Sequence, residues 1–528
     1  MKSTIFLIIA FSCLAAIGQI NLEKTYDEGM VNRVDLEFSG EKYYLLDQST
    51  NQVKLYNADH TAWKTIPLPT LAGPLDVTIS HLSENKINAD NNIEIAYSYY
   101  TEDGEIVFNS RIVSEEGTVL LNVSDASSIE VSEIPGLPVK IIALIDDENS
   151  STKVFSVPDF TLENTYSSEN IIYDGYITRV NLENSGEKYY QLDELNNQVK
   201  LYNVNHTTWK TIDLFPMEGT IYLKIDHVSE NIINADAKIE VAYTYYDESF
   251  YIEGKISNED GTVLFTLPNA YLIEVDKISG LSNKLIVVFY DLTYLFSSKV
   301  YTLPSLAVEG AYGDGEVVRV KLENAGEKYY IGDVLTNQAK LYNADHTLWK
   351  TINLPVTSGA SLVGITHLSE AVINIDSPVE IAYVTSDNEA RIIDDTGSSL
   401  LIVENALGIY TSQMAGLPNK LIVTMDGFPE TSKVYGLPTT TLGLQKENPV
   451  EAAFTIYPNP TNHILTIESK NTTLKNFMIT SVLGKIVKEV KQTSQSLTID
   501  VSDLNPGTYF MKGQTMNGVI FNYKIIIY

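Results

Sequence analysis

The sequence predicts an all-β protein: three tandem repeats of about 140 residues forming a β-propeller or propeller-like array, followed by a small β-domain. Three observations carry this. First, the chain repeats itself. "GEKYY" begins at Gly40, Gly186 and Gly326, and "LYNADHTAWKTIPLP" from Leu55 returns as "LYNVNHTTWKTIDLF" from Leu201 and "LYNADHTLWKTINLP" from Leu341. A fixed period of this kind marks stacked structural units. Second, the apolar residues inside a unit alternate with period two, as in "KYYLLD", "QVKLYN" and "IEIAYSYY", with turn pairs such as Ser39-Gly40 and Pro135-Gly136 between the runs. No window of a dozen residues carries a helical period. Third, each unit divides into three groups of short strands, the first running over 32–69, 75–122 and 128–158. About 45 residues per group is the size of a propeller blade. Nine blades would exceed the usual range of four to eight, and a repeat of this length is also a normal domain size, so tandem β-sandwiches are the alternative.

In chain order, residues 1–18 read as a secretory signal peptide: Lys2, an apolar run from Ile5 to Ile17, then small residues. The run is too short to span a bilayer. The only cysteine, Cys13, lies inside it, so cleavage leaves a chain without disulfide or thiolate chemistry. The repeats occupy 19–168, 169–308 and 309–442, and a polar link covers 443–453. Residues 454–528 differ from the rest. They hold seven lysines against four acids in a chain of net charge −32, and about seven short strands fit the spacing of a small sandwich.

This last segment carries "FTIYPNPTNHILTIE", "SVLGKIVKEV", "IDVSDLNPGTYFMKG" and a terminal "YKIIIY". It closely resembles the C-terminal sorting domain (type A) of the type IX secretion system. The matching residues are Tyr457, Pro458, Asn459 and Pro460, then Gly484 and Lys485, then Leu504, Gly507, Tyr509 and Phe510, and the end from Lys524 to Tyr528. The resemblance implies a non-catalytic immunoglobulin-like sandwich. It also implies partnership with the type IX machinery, and release from, or attachment to, the outer surface of a Gram-negative bacterium. The repeats are similar to segments of an uncharacterised secreted-cargo type, which implies no activity.

The net charge of −32 opposes binding to nucleic acid or an anionic membrane. None of "GxSxG", "HExxH" or the phosphate-loop pattern occurs. The memorable residues come in threes, which suits architecture or multivalent binding better than one catalytic centre. Trp63, Trp209 and Trp349, with His60, His206 and His346, are the candidate ligand-binding residues. Strict alternation would put Trp63 with Thr65 on the polar face, where aromatic rings could stack on sugars; the competing reading buries them in the core. Pairing His60 with His81 (and His206 with His227, His346 with His367) for zinc is weakened because Asp59 becomes Asn205. Turns of the form D-x3-NQ at Asp47/Asn51, Asp193/Asn197 and Asp333/Asn337 could collect calcium, or could satisfy their own backbone. The expectation is a secreted or surface protein, not an enzyme, binding glycan or a surface protein. The alternative is a secreted polysaccharide-acting hydrolase with an inconspicuous carboxylate pair.

Overall fold

The computed structural model describes residues 20–438 and 454–527, save short stretches at 71–73, 89, 103–105, 147–150, 168–175, 291–295, 314, 374–377, 428–429, 470–473, 482–485, 491–495, 503, 505–506 and 516–519. The signal-peptide segment 1–18, the link 443–453 and the sorting-motif residues Gly484 and Lys485 lie outside the described residues. Among the described residues there is no helix. None, therefore, is long and apolar enough to cross a membrane.

Nine four-stranded antiparallel sheets follow one another. Blade 1 spans 31–67, blade 2 74–124, blade 3 126–166, blade 4 178–213, blade 5 220–268, blade 6 270–312, blade 7 318–353 and blade 8 362–404. In each, sequential strands pair with their neighbours. Blade 9 departs from that rule. Its first three strands are Ala406–Ser412, Lys420–Met425 and Thr431–Gly436, and its fourth is β1, Asn21–Tyr26, from the other end of the repeat region.

The core is a ring of clusters, one between each blade and the next. Leu55, Ile66, Ile95 and Tyr97 join blades 1 and 2. Ile142, Val154, Ile177 and Tyr189 join blades 3 and 4. Tyr26, Ile422 and Val434 of blade 9 meet Val31, Tyr43 and Leu45 of blade 1. That last contact closes the ring, so the fold is a nine-bladed β-propeller. Nine exceeds the common range, but closure through a terminal strand leaves no long unprotected sheet edge.

The repeated "GEKYY" has a local cause. Its glycine ends the first hairpin of blades 1, 4 and 7, with φ of 67°, 69° and 71° at Gly40, Gly186 and Gly326, a region costly for residues with a Cβ. The Glu of "SEN" fastens the same turn to the next blade. The Glu84 carboxylate accepts the Phe38 and Ser39 amides at 2.7 and 2.8 Å, and Glu230 and Glu370 do the same for Asn184/Ser185 and Asn324/Ala325.

Residues 454–527 form a separate compact unit of two sheets, one of three strands and one of four. Leu465, Ile467 and Ile499 of the first and Ile479, Met511 and Ile525 of the second build one apolar cluster. The two ends of the sorting motif meet. The Asn459 side chain accepts the Ile526 amide at 2.9 Å, and the Thr461 amide donates to the Ile526 carbonyl at 2.9 Å. Tyr509 is buried in the cluster, and Leu504 packs on it.

Candidate functional site

The repeated His-Trp hairpin links blades. In the fourth strand of blade 1, Lys64 faces Leu55 and Ala62 faces Tyr56, which leaves Trp63 as the extra residue of a β-bulge. Trp209 and Trp349 occupy the same place. A bulge breaks the two-residue period. Trp63 therefore turns, with Lys64, away from the face that alternation predicts, and packs on the cluster between blades 1 and 2. Lys42 and Lys64 place their ammonium groups 4.7 and 4.8 Å from its ring centroid. Lys188/Lys210 and Lys328/Lys350 flank Trp209 and Trp349 alike. Each such contact contributes roughly 0.5–1 kcal/mol.

All nine fourth strands carry this bulge. Its residue runs Trp63, Leu120, Glu163, then Trp209, Leu264, Glu309, then Trp349, Leu400 and Glu23. The glutamates explain the histidines. His60 sits at φ 63° in the turn before Trp63. Its Nε2 lies 3.2 Å from the Glu23 carboxylate and its Nδ1 2.8 Å from the Tyr26 hydroxyl, both on β1 of blade 9. A carboxylate only accepts, so Nε2 carries the proton and Nδ1 accepts from the tyrosine. Lys420 holds Glu23 from behind at 2.6 Å. His206 meets Tyr166 (2.6 Å) and Glu163 (3.2 Å); His346 meets Tyr312 (2.6 Å) and Glu309 (3.7 Å).

The paired histidines do not share partners. His81 faces Glu133 at 3.8 Å, and His367 bonds Thr411 at 2.9 Å. Burial lowers the pKa of His81, His227 and His367, His227 to about 4. Among the described residues no three His, Cys, Asp or Glu side chains converge as a metal group. The D-x3-NQ turns satisfy themselves. Asp47 accepts from Ser49 and Thr50 and pairs with Lys54 at 2.9 Å, and these donors hold its carboxyl below the usual range. Asp193 and Asp333 pair with Lys200 and Lys340.

Two features escape the sequence reading. One is the glutamate of "IEIAY" and "IEVAY". Glu94 and Glu240 are fully buried, and desolvation together with neighbouring carboxylates pushes each up to about 8. The other lies at the opposite end of the blades, where second strands turn into third. Tyr222, Tyr246 and Phe250 of blade 5 form a column, with ring centroids 4.9 and 5.9 Å apart and planes within 24°. Next to it, in blade 6, Tyr271 and Tyr290 lie 5.9 and 5.1 Å from Phe296. Phe250 is 71% exposed and Tyr271 53%. Phe250 has φ 59°, held by its amide's bond to the Asp247 carbonyl and by Asp247 Oδ1 gripping the Ser249 and Tyr251 amides. The matching hairpin of blade 8 uses Asn388, also at φ 59°. Asn tolerates that region; a bulky ring there costs on the order of 1–3 kcal/mol, and such strain clusters at working sites. On the same end of the ring, Glu28, Asp47, Asp76, Met30, Leu46 and Ile79 line a cleft of about 820 Å³ beside blades 1 and 2.

Compared with known proteins, residues 455–528 match the model of the secretion system C-terminal sorting domain. The tail is a type IX sorting domain. It marks a β-propeller protein for export to the cell surface or the medium in Gram-negative bacteria of the Bacteroidetes type, and implies contact with the type IX machinery. No curated protein matches the chain. Among solved structures, it is similar to the Dos1 propeller (10% identity, 79% of this chain and 95% of that one, TM-score 0.40). It is also similar to BamB from Moraxella catarrhalis (9% identity, 69% and 99%, TM-score 0.36). A third is the extracellular domain of BT4673 from B. thetaiotaomicron (12% identity, 96% and 81%, TM-score 0.21).

Proposed function

We propose that the propeller is a non-catalytic binding module that attaches to glycan at the bacterial surface, using the aromatic patches of blades 5 and 6. The carrying observation is the strained, exposed Phe250 at the end of a stacked Tyr column. Rigid aromatic side chains offer flat apolar area at low entropic cost, as sugar-ring faces require. The immunoglobulin-like reading of the tail fits its two facing sheets, and the tail's work is delivery. In this reading Trp63, Trp209, Trp349, His60, His206 and His346 support the blades, since lysine, tyrosine and glutamate side chains already engage their rings. A glycan array with the mature protein tests the idea. The parent should bind a defined glycan set, and Phe250→Ala and Tyr271→Ala should each weaken binding about tenfold, a loss of about 1.4 kcal/mol. No glycan bound by the parent, or unchanged binding in the double variant, would sink it. Release of reducing sugar from a bound glycan would favour the hydrolase instead.

A further inference from the structure

The loop before the second strand of blade 5 has a chemistry that the binding surface does not use. Residues 234–240 read Asn-Ala-Asp-Ala-Lys-Ile-Glu, and blade 2 repeats the pattern as Asn88, Asp90 and Glu94. Asp236 is exposed at the loop tip; its Oδ1 accepts the Lys238 amide at 2.9 Å and its Oδ2 the Asn234 side chain at 3.2 Å. Glu240 is 0% exposed, and no N–H or hydroxyl donor reaches either of its carboxylate oxygens. Its carboxyl abuts that of Asp236, and the carboxylates of Glu183 and Glu230 add further negative charge. In blade 2, Glu94 is equally buried, accepts the Asn88 side-chain Nδ2 at 2.7 Å through Oε1, and leaves Oε2 without a partner. Keeping both carboxyl groups of such a pair ionised side by side is costly, and without a cation the buried Glu240 carboxyl is held protonated against Asp236. A divalent cation between them removes that cost.

We infer that the 234–240 loop of blade 5 is a calcium site, with Asp236 and Glu240 as its carboxylate ligands. Calcium takes oxygen ligands in flexible sets, including amide carbonyls, backbone carbonyls and water, so two carboxylates suffice where three would be needed to form an all-acid cluster. The lysine in the loop does not compete, because its ammonium pairs with Asp260 outside. Blade 2 presents the same residue types in the same order and is expected to hold a second ion.

Calorimetric titration of the EDTA-treated mature protein with calcium chloride tests this. The parent should take up calcium saturably, with a dissociation constant of about 10⁻⁴–10⁻³ M, the range of extracellular modules. Asp236→Ala alters an exposed side chain and should remove one bound ion per chain with an unchanged circular-dichroism spectrum. Lys238→Ala should retain every ion. Two results would overturn the assignment: no calcium uptake by the parent at 10⁻² M, roughly tenfold above that range, or the same stoichiometry in Asp236→Ala as in the parent.

Discussion

The His227 imidazole lies in the first strand of blade 5, where desolvation is the main cause holding its pKa down to about 4 and the Lys277 ammonium adds to it. The unfolded chain protonates this group near 6.5. Between pH 6.5 and 4 the unfolded state therefore binds more protons, so stability is lost as pH falls through that window and is constant below it. The full difference corresponds to about 3 kcal/mol. Urea denaturation at pH 7 and pH 4.5 should show the parent losing more stability than His227→Gln. Equal losses would mean that the imidazole is charged in the fold. His81 and His367 shift in the same direction for the same reason. None of this burial was legible in "SHLSEN" or "DHVSEN" read as strings. Trp63 shows the limit more sharply. Its apolar neighbours give its strand, but the bulge that turns it inward depends on the pairing of Leu55 with Lys64, and pairing is a property of two strands.

Strand β1 shows the same limit one level up. The sequence reading found three strand groups per unit and ended the third at Pro158, missing Leu162–Tyr166 because "LENTY" lacks an apolar alternation. Only Tyr166 there is fully buried; Glu163 is the bulge residue, Asn164 is half-buried, and Leu162 and Thr165 are exposed. The signal that could have found it is the likeness of "LENTY" to "LEKTY" at Leu22–Tyr26, which places the same strand at the end of blade 3 and at the start of the chain. That displacement is what closes the ring. It also gives β1 a disproportionate energetic role, because it supplies Tyr26, Glu23 and a whole row of backbone bonds to Thr431–Gly436. Deleting residues 21–26 should destabilise the propeller by at least about 3 kcal/mol, the lower end for losing one buried aromatic. The bare edge of Thr431–Gly436 should also drive association. Denaturant unfolding and light scattering would check both. A monomeric variant with the parent's midpoint would show that the ring does not depend on this strand.

At the scale of the molecule, the propeller and the tail keep separate cores. The tail's apolar cluster is made wholly of residues from Leu465 to Ile527, while the propeller's nine clusters draw on residues before 439. Removing 454–528 should therefore leave the propeller's unfolding free energy within about 0.5 kcal/mol of the parent value, as for changes far from a core. Export should respond differently. The sorting residues "YPNP" and the terminal strand are joined by the Asn459 and Thr461 bonds to Ile526, so the motif exists as one surface only when the tail is folded. This explains why the tail was legible from sequence. Its quoted motifs resemble a known sorting domain in order over some 75 positions, whereas a binding face on the propeller asks only for exposed rings at hairpin ends. Expressed in a type IX-competent host, the chain lacking 454–528 should pass the inner membrane and accumulate inside the cell envelope, with less than about a tenth of the parent's amount reaching the surface or medium, a tenfold loss. Asn459→Ala tests the geometry. It removes one bond to the terminal strand and should lower export without altering the propeller's melting. Cell fractionation with immunoblotting reads both variants. Truncated protein reaching the outside at the parent's level would show that the propeller itself carries the export signal.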